Sequence, residues 1–182
     1  MALIRRARVE DAAGIAATHV DSWRTTYPDM VPDSYLLGMS ESAYTRRWSA
    51  ILADRARIHG SFVAVEPPIG VVGFASCGAQ RTGLEGYGGE FYALYLYDHA
   101  QNRGIGRHLM AAMATELMNY GMNSAVVWVL AVNPSRWFYE RLGGRRLAEK
   151  IADFAGAELT EVAYGWRDLA PLARLSADPP VR

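Results

Sequence analysis

Residues 90–97 read EFYALYLY, residues 101–106 read QNRGIG, and the following residues 103–120 carry Ile105, Leu109, Met113 and Leu117 at helical intervals. The aromatic, branched run is a strand and the apolar stripe is a helix, so the glycine turn sits between a strand end and a helix start. Backbone N–H groups exposed at such a start, aligned with the helix dipole, form a site for an anion. Two phosphate-binding patterns are excluded by spacing: a dinucleotide fingerprint needs glycine where the chain has Leu109, and no Gly-Lys-Ser/Thr occurs anywhere.

Outward from this unit, strands and helices alternate. Residues 3–8 read as an edge strand, and Glu10 and Asp11 open a helix whose inner face carries Ala12, Ile15, Ala16, His19, Val20 and Trp23. Residues 33–54 continue as helix broken near Gly38–Ser40. Residues 57–66 and 69–78 form a hairpin around Pro67-Pro68, and residues 82–89 (TGLEGYGG) form a loop. Residues 124–132 read as a strand buried on both faces, Asn133-Pro134 starts a short helix ending at Gly143-Gly144, and strands follow near residues 146–153 and 158–168. The pattern implies an α/β layered sheet with helices on both faces. Residues 170–182 contain a Pro-Pro pair and no sustained period, and are expected to form a flexible tail after a single domain spanning 1–169.

Composition narrows the function. The 182 residues balance 19 basic side chains against 19 acidic ones, so no general field draws a polyanion and nucleic acid is not an expected partner. The longest apolar run, Ala125 to Val132, is far below the 18 or so residues of a membrane span, so no membrane association is expected. Arg5 and Arg6 interrupt the amino terminus before a signal-type stretch forms, and Cys77 is the single cysteine; the expected setting is the reducing cytoplasm. His19, His59, His99 and His108 show no ligand spacing, so no metal is expected. Cys77 lacks a paired base nearby in sequence and reads as a small core residue rather than a nucleophile.

Gln101-Asn102-Arg103-Gly104-Ile105-Gly106, preceded by Leu94-Tyr95-Leu96 and followed by Phe138-Tyr139-Glu140-Arg141-Leu142-Gly143, resembles the acyl-CoA loop, strand and later helix end of the GNAT superfamily of N-acetyltransferases. The resemblance spans roughly residues 3–168 and includes an opening segment with His19, Trp23 and Tyr27. It implies a mixed central sheet of about six to seven strands with helices on both faces and central strands splayed at the cofactor site. It implies acetyl-CoA as co-substrate, with direct transfer to an amine: a small amine, an amino-acid derivative or a peptide amino terminus. A homodimer is compatible with it. The alternative is a non-catalytic acyl-CoA-binding or regulatory module. The chain departs from the family at Asp98, where proline is common, and in the six-residue step from Asn133 to Tyr139, so Asn133 is either a cofactor contact or a helix cap.

Acetylating an alkylamine at pH 7 first costs about 4.6 kcal/mol to remove its proton. A base or a water chain must take that proton, N–H donors must stabilise the oxyanion, and an acid assists the leaving thiolate. By the resemblance, Tyr139 is the acid and Glu90 the base or water-orienting group. Leu94, Tyr95 and Leu96 pair with the pantetheine arm, the Leu96 N–H being the oxyanion donor. Asn102, Arg103, Gly104, Ile105, Gly106 and Arg107 cradle the pyrophosphate. His19, Trp23, Tyr27 and Tyr92, with the residue 82–89 loop, line the acceptor pocket. Strand alternation puts Glu90, Tyr92, Leu94 and Leu96 on one face and Phe91, Ala93, Tyr95 and Tyr97 on the other.

Overall fold

A computed structural model describes residues 2–54 and 59–175. Its strands are β1 (Leu3–Arg6), β2 (His59–Glu66), β3 (Gly70–Ala79), β4 (Gly89–Leu96), β5 (Ala125–Leu130), β6 (Arg145–Phe154) and β7 (Ala157–Trp166). Its helices are α1 (Ala12–Thr26), α2 (Asp33–Gly38), α3 (Glu41–Ala53), α4 (Ile105–Asn119), α5 (Arg136–Arg141) and α6 (Ala170–Arg174). Among the described residues, seven strands form one sheet in the order β1-β2-β3-β4-β5-β7-β6. β4 and β5 run parallel and the other neighbours antiparallel, so the sheet is mixed.

The expected elements are present within a few residues of their predicted ends. Arg57 and Ile58, expected to open the second strand, lie outside the described residues. The expected tail differs: Ala170–Arg174 is helical and Leu172 is buried at 1% exposure, because its side chain completes the core beneath α4. Residues 176–182 lie outside the described residues.

Two layers cover the sheet. Ile105, Leu109, Met110, Met113, Ala114 and Leu117 of α4 pack with Phe91, Val127 and Val129 on one face. Ala12, Ile15 and Ala16 of α1 and Trp48 of α3 pack with Val63 and Phe74 on the other. No described helix is long and apolar enough to cross a membrane.

The pairing of β3 with β4 shifts by one residue: Ser76 faces Ala93, but Cys77 faces Phe91, leaving Tyr92 as the extra residue of a bulge. This corrects the simple alternation. Beyond the bulge Leu94 and Leu96 join Phe91 on the α4 side, whereas Ala93 and Tyr95 turn toward α1. Glu90, opposite in sense to Phe91, therefore lies on the α1 side with Tyr95, not with Leu94 and Leu96.

Candidate active site

The sheet opens at its centre. β4 and β5 pair only through Gly89–Ala125, Glu90–Val126 and Phe91–Val127, although β4 continues to Leu96 and β5 to Leu130. Tyr97 donates to Val72 on β3 at 3.0 Å. By backbone alternation Leu96 and Leu94 therefore turn their N–H and C=O groups toward the gap. The Leu96 carbonyl accepts from the Ser22 hydroxyl of α1 at 3.2 Å and from the Gln101 amide at 3.5 Å. Its N–H is the donor aimed at the split.

At the open end of the split lies the glycine turn. Asn102 and Gly104 both take left-handed conformations, φ 57° and 80°, which bend the chain sharply into α4. A side chain built on Gly106 would come 3.3 Å from Phe138 and 3.7 Å from Leu96, so this glycine lets the α4 start sit against both the end of β4 and α5. The first N–H groups of α4 have no intrahelical acceptor, which makes the turn suited to phosphate. Arg103 is not directed into the turn alone: its guanidinium pairs with Glu66 at 2.6 and 3.2 Å. Asp98 accepts from Gln101 at 3.2 Å and from Thr25 at 3.4 Å, ties that proline could not make.

Tyr139 stands beside the split. Its ring packs edge-on to Phe138 and Trp166, and only 7% of the residue is exposed. Burial, with a smaller push from Tyr27, raises its phenol above the ordinary tyrosine range, so it keeps its proton at neutral pH. The Tyr27 hydroxyl lies 3.3 Å from the Tyr95 hydroxyl, and both phenols are raised mainly by burial. Asn133, 2% exposed, donates to Tyr27 at 3.3 Å and accepts from the Ser135 N–H at 2.8 Å. Its side chain thus ties the turn before α5 to the Tyr27 phenol.

His19 and Trp23 join Tyr35, Tyr44 and Phe74 in an aromatic cluster around Tyr95, with the His19 ring stacked on Tyr95 at 5.3 Å. Trp48 donates to His19 Nδ1 at 3.3 Å. Burial, and secondarily Arg47, lowers the imidazole to about 4, so His19 is neutral at pH 7. Cys77 is buried against Met113, its thiol pushed up to about 12 by burial, which removes it as a nucleophile.

Glu90 is not a solvated strand end. It is 2% exposed, and Oε2 accepts the Arg81 backbone N–H at 2.9 Å while Oε1 accepts from Arg81 Nε at 3.2 Å and Nη2 at 2.5 Å. The guanidinium lies 3.9 Å from the Tyr92 ring centroid, and Tyr92 donates its hydroxyl proton to the Ala79 carbonyl at 2.5 Å. These groups form one wall of a cavity of about 420 Å³ that also includes Thr82, Phe91, Trp128, Lys150 and Glu161. Lys150 pairs with Glu161 at 3.2 Å and lies 4.2 Å from the Trp128 ring centroid.

Sequence reading missed Arg81, Lys150 and Glu161. Lys150 and Glu161 stand on strands that read as ordinary half-exposed ones, and only the register Lys150–Glu161, with β7 paired to β5, brings them into the lining of the cavity. Burial dominates the rise of the Tyr27 phenol, and Glu161 adds a smaller push in the same direction. Among the described residues no group of three or more His, Cys, Asp or Glu is arranged to hold a metal ion.

The chain is similar to known proteins in sequence and in fold. The family model described as FR47-like protein matches residues 75–152. A Bacillus subtilis (strain 168) protein, named as the uncharacterized N-acetyltransferase YuaI, is 41% identical over 175 residues, covering 96% of this chain and 98% of the relative. A GNAT superfamily phosphinothricin acetyltransferase from Sinorhizobium meliloti, solved with acetyl-CoA, superposes with a TM-score of 0.65 at 22% identity, over 99% of this chain and 93% of that one. The PaiA N-acetyltransferase of Thermoplasma acidophilum, solved with coenzyme A, gives 0.62 at 17% identity, over 89% of this chain and 98% of that one.

Proposed function

The chain belongs to the GNAT superfamily of N-acetyltransferases, and from that premise we propose that acetyl-CoA enters the split between β4 and β5 and the acceptor amine enters the Glu90–Glu161 cavity. The protein is an acyl-CoA-dependent N-acetyltransferase. The observation that carries the proposed arrangement is the end of β4–β5 pairing at Phe91–Val127 beside the phenols of Tyr27, Tyr95 and Tyr139.

In this reading the backbone of Leu94, Tyr95 and Leu96 holds the pantetheine arm as an extra strand would be held, through the groups left unpaired when β5 diverges. The turn from Asn102 through Arg103, Gly104, Ile105 and Gly106 to Arg107 receives the pyrophosphate on its N–H groups. Arg103 adds charge by exchanging Glu66 for phosphate; because its side chain is 44% exposed, the surface pair it gives up is weak. His19 and Trp23 shape the acceptor wall from behind Tyr95.

Chemistry then follows the charge. The bound ammonium releases its first proton to solvent water, the neutral nitrogen attacks the thioester carbon, and Glu161 takes the second N–H proton, directly or through one water. The Leu96 N–H donates to the oxyanion. Collapse breaks the C–S bond, and Tyr139 gives its proton to the sulfur, a thiolate that is itself desolvated at the same position. Glu90, with both oxygens held by Arg81, positions that arginine instead of serving as the base.

The test is release of CoA thiol from acetyl-CoA with a panel of amines, with the N-acetyl product identified by mass. Acceptor-dependent release supports the reading. Acetyl-CoA binding, seen as a rise in melting temperature, with no release by any amine would instead identify an acyl-CoA-binding module.

A further inference from the structure

We infer that the acceptor is an amine that also carries an anionic group, of amino-acid type, with Arg81 and Lys150 reading the anion while Glu161 receives the amine. The inference rests on the acetyl transfer proposed above and specifies its substrate class.

Arg81 is built as an anion hook. Its side chain is 61% exposed, yet its plane is fixed from two directions by the buried Glu90 carboxylate and the Tyr92 ring. A solvated arginine would sample many rotamers; this one is organised beforehand, which lowers the entropy lost when it binds an anion. The bonds to Glu90 use Nε and Nη2, and Nη1 takes part in none of them. Glu90 therefore acts as the brace of a guanidinium whose residue lines the cavity.

Lys150 is arranged in a parallel way on the opposite wall. It lies over Trp128 while paired to Glu161, and Trp128 is fixed by its own donation to the Thr82 hydroxyl at 3.1 Å. In both pairs the carboxylate is the buried member and the cation the exposed one, 3% against 61% for Glu90 and Arg81, and 17% against 39% for Glu161 and Lys150. Cations thus form the accessible surface of the cavity. A plain alkylammonium entering here meets two like charges first, whereas a carboxylate or phosphonate meets two donors.

The cavity also has a direction. Glu90 pairs in register with Val126 at the closed base of the split, and Glu161 pairs with Leu130 at its open end. The amine must lie at the open end, beside Leu96 and the phenols, where Glu161 is available to it. The anionic group then points back toward Arg81. A zwitterion satisfies both ends and leaves the formally neutral set of two cations and two carboxylates balanced.

The test compares three matched acceptors sharing one side chain: a free amino acid, its carboxamide and the decarboxylated amine, over several side chains. CoA release is measured for the native protein, the Arg81→Gln/Glu90→Gln double variant, which avoids stranding a buried carboxylate, and Lys150→Met. Native kcat/KM should favour the acid at least tenfold. Each variant should lose about 10- to 100-fold in the acid-to-amide ratio of kcat/KM, mainly through the KM for the acid, as expected for one charge-assisted hydrogen bond. Taking this ratio within each protein cancels the differing basicity of the amines. Equal use of acid, amide and amine, or equal loss of all three in both variants, overturns the inference while acetyl transfer stands. Failure of all three classes to release CoA overturns acetyl transfer and the inference with it.

Discussion

The Asn133 side chain donates to the Tyr27 hydroxyl at 3.3 Å, joining positions 106 residues apart, while its carbonyl oxygen accepts from Ser135. A single buried amide therefore couples Tyr27, which directly follows α1, to the start of the segment that carries Tyr139. The Tyr27 hydroxyl and the Ser135 N–H, four residues before Tyr139, are thereby tied to one group.

Asn133→Ala should remove both bonds. We expect a loss of about 1–3 kcal/mol in urea unfolding, the scale for leaving a buried polar partner unsatisfied. Turnover at a temperature where the variant is fully folded should fall as well, because Tyr27 and α5 lose their common anchor. Unchanged unfolding would show that water replaces the amide.

Tyr139→Phe removes the hydroxyl and little volume. The expected result is a fall of about 100-fold in kcat, within the range for general acid catalysis, with acetyl-CoA affinity changed by less than about threefold. Since burial raises the Tyr139 phenol, native turnover should show no loss from its ionisation between pH 6 and 9. A variant with native kcat would remove Tyr139 from the chemistry.

Glu161→Gln and Glu90→Gln separate the two carboxylates of the cavity. Substitution of Glu161 should flatten the acidic limb of the kcat/KM profile, whereas substitution of Glu90 should keep the limb and raise KM through a looser Arg81. The reverse pattern would return the base to Glu90.

His19 gives a stability signature. Its imidazole is lowered to about 4 in the fold and returns to about 6.5 on unfolding, so the unfolded chain binds the extra proton first. Its contribution is complete above pH 6.5 and is lost as pH falls toward 4, about 3 kcal/mol in all. His19→Phe should flatten that part of the stability-versus-pH curve, as measured by denaturant midpoints at fixed pH.

Strand β4, the glycine turn and α4 were legible in the chain because each depends on local order: residues 90–97 are aromatic and branched, the α4 stripe has helical period, and Gly104 supplies a positive φ at the turn. The break between α2 and α3 and the hairpin at Pro67-Pro68 were legible for the same reason. The helix Ala170–Arg174 departs from the expected flexible tail, since five residues are too short to show a period and Leu172 is anchored in the core with α4.

The site divides along the same line. Residue order alone determined a glycine turn followed by a helix, the tyrosine of the later helix, and the absence of a long apolar span. Tertiary structure decided the rest. A single extra residue at Tyr92 inverts the faces of β4, a change that side-chain alternation cannot reveal because it arises from pairing with β3. The clamp of Arg81 on Glu90, the pair of Lys150 with Glu161, and the bond from Asn133 to Tyr27 join separate elements. Their energies depend on distance and burial, quantities that exist only once the sheet has assembled and its centre has opened.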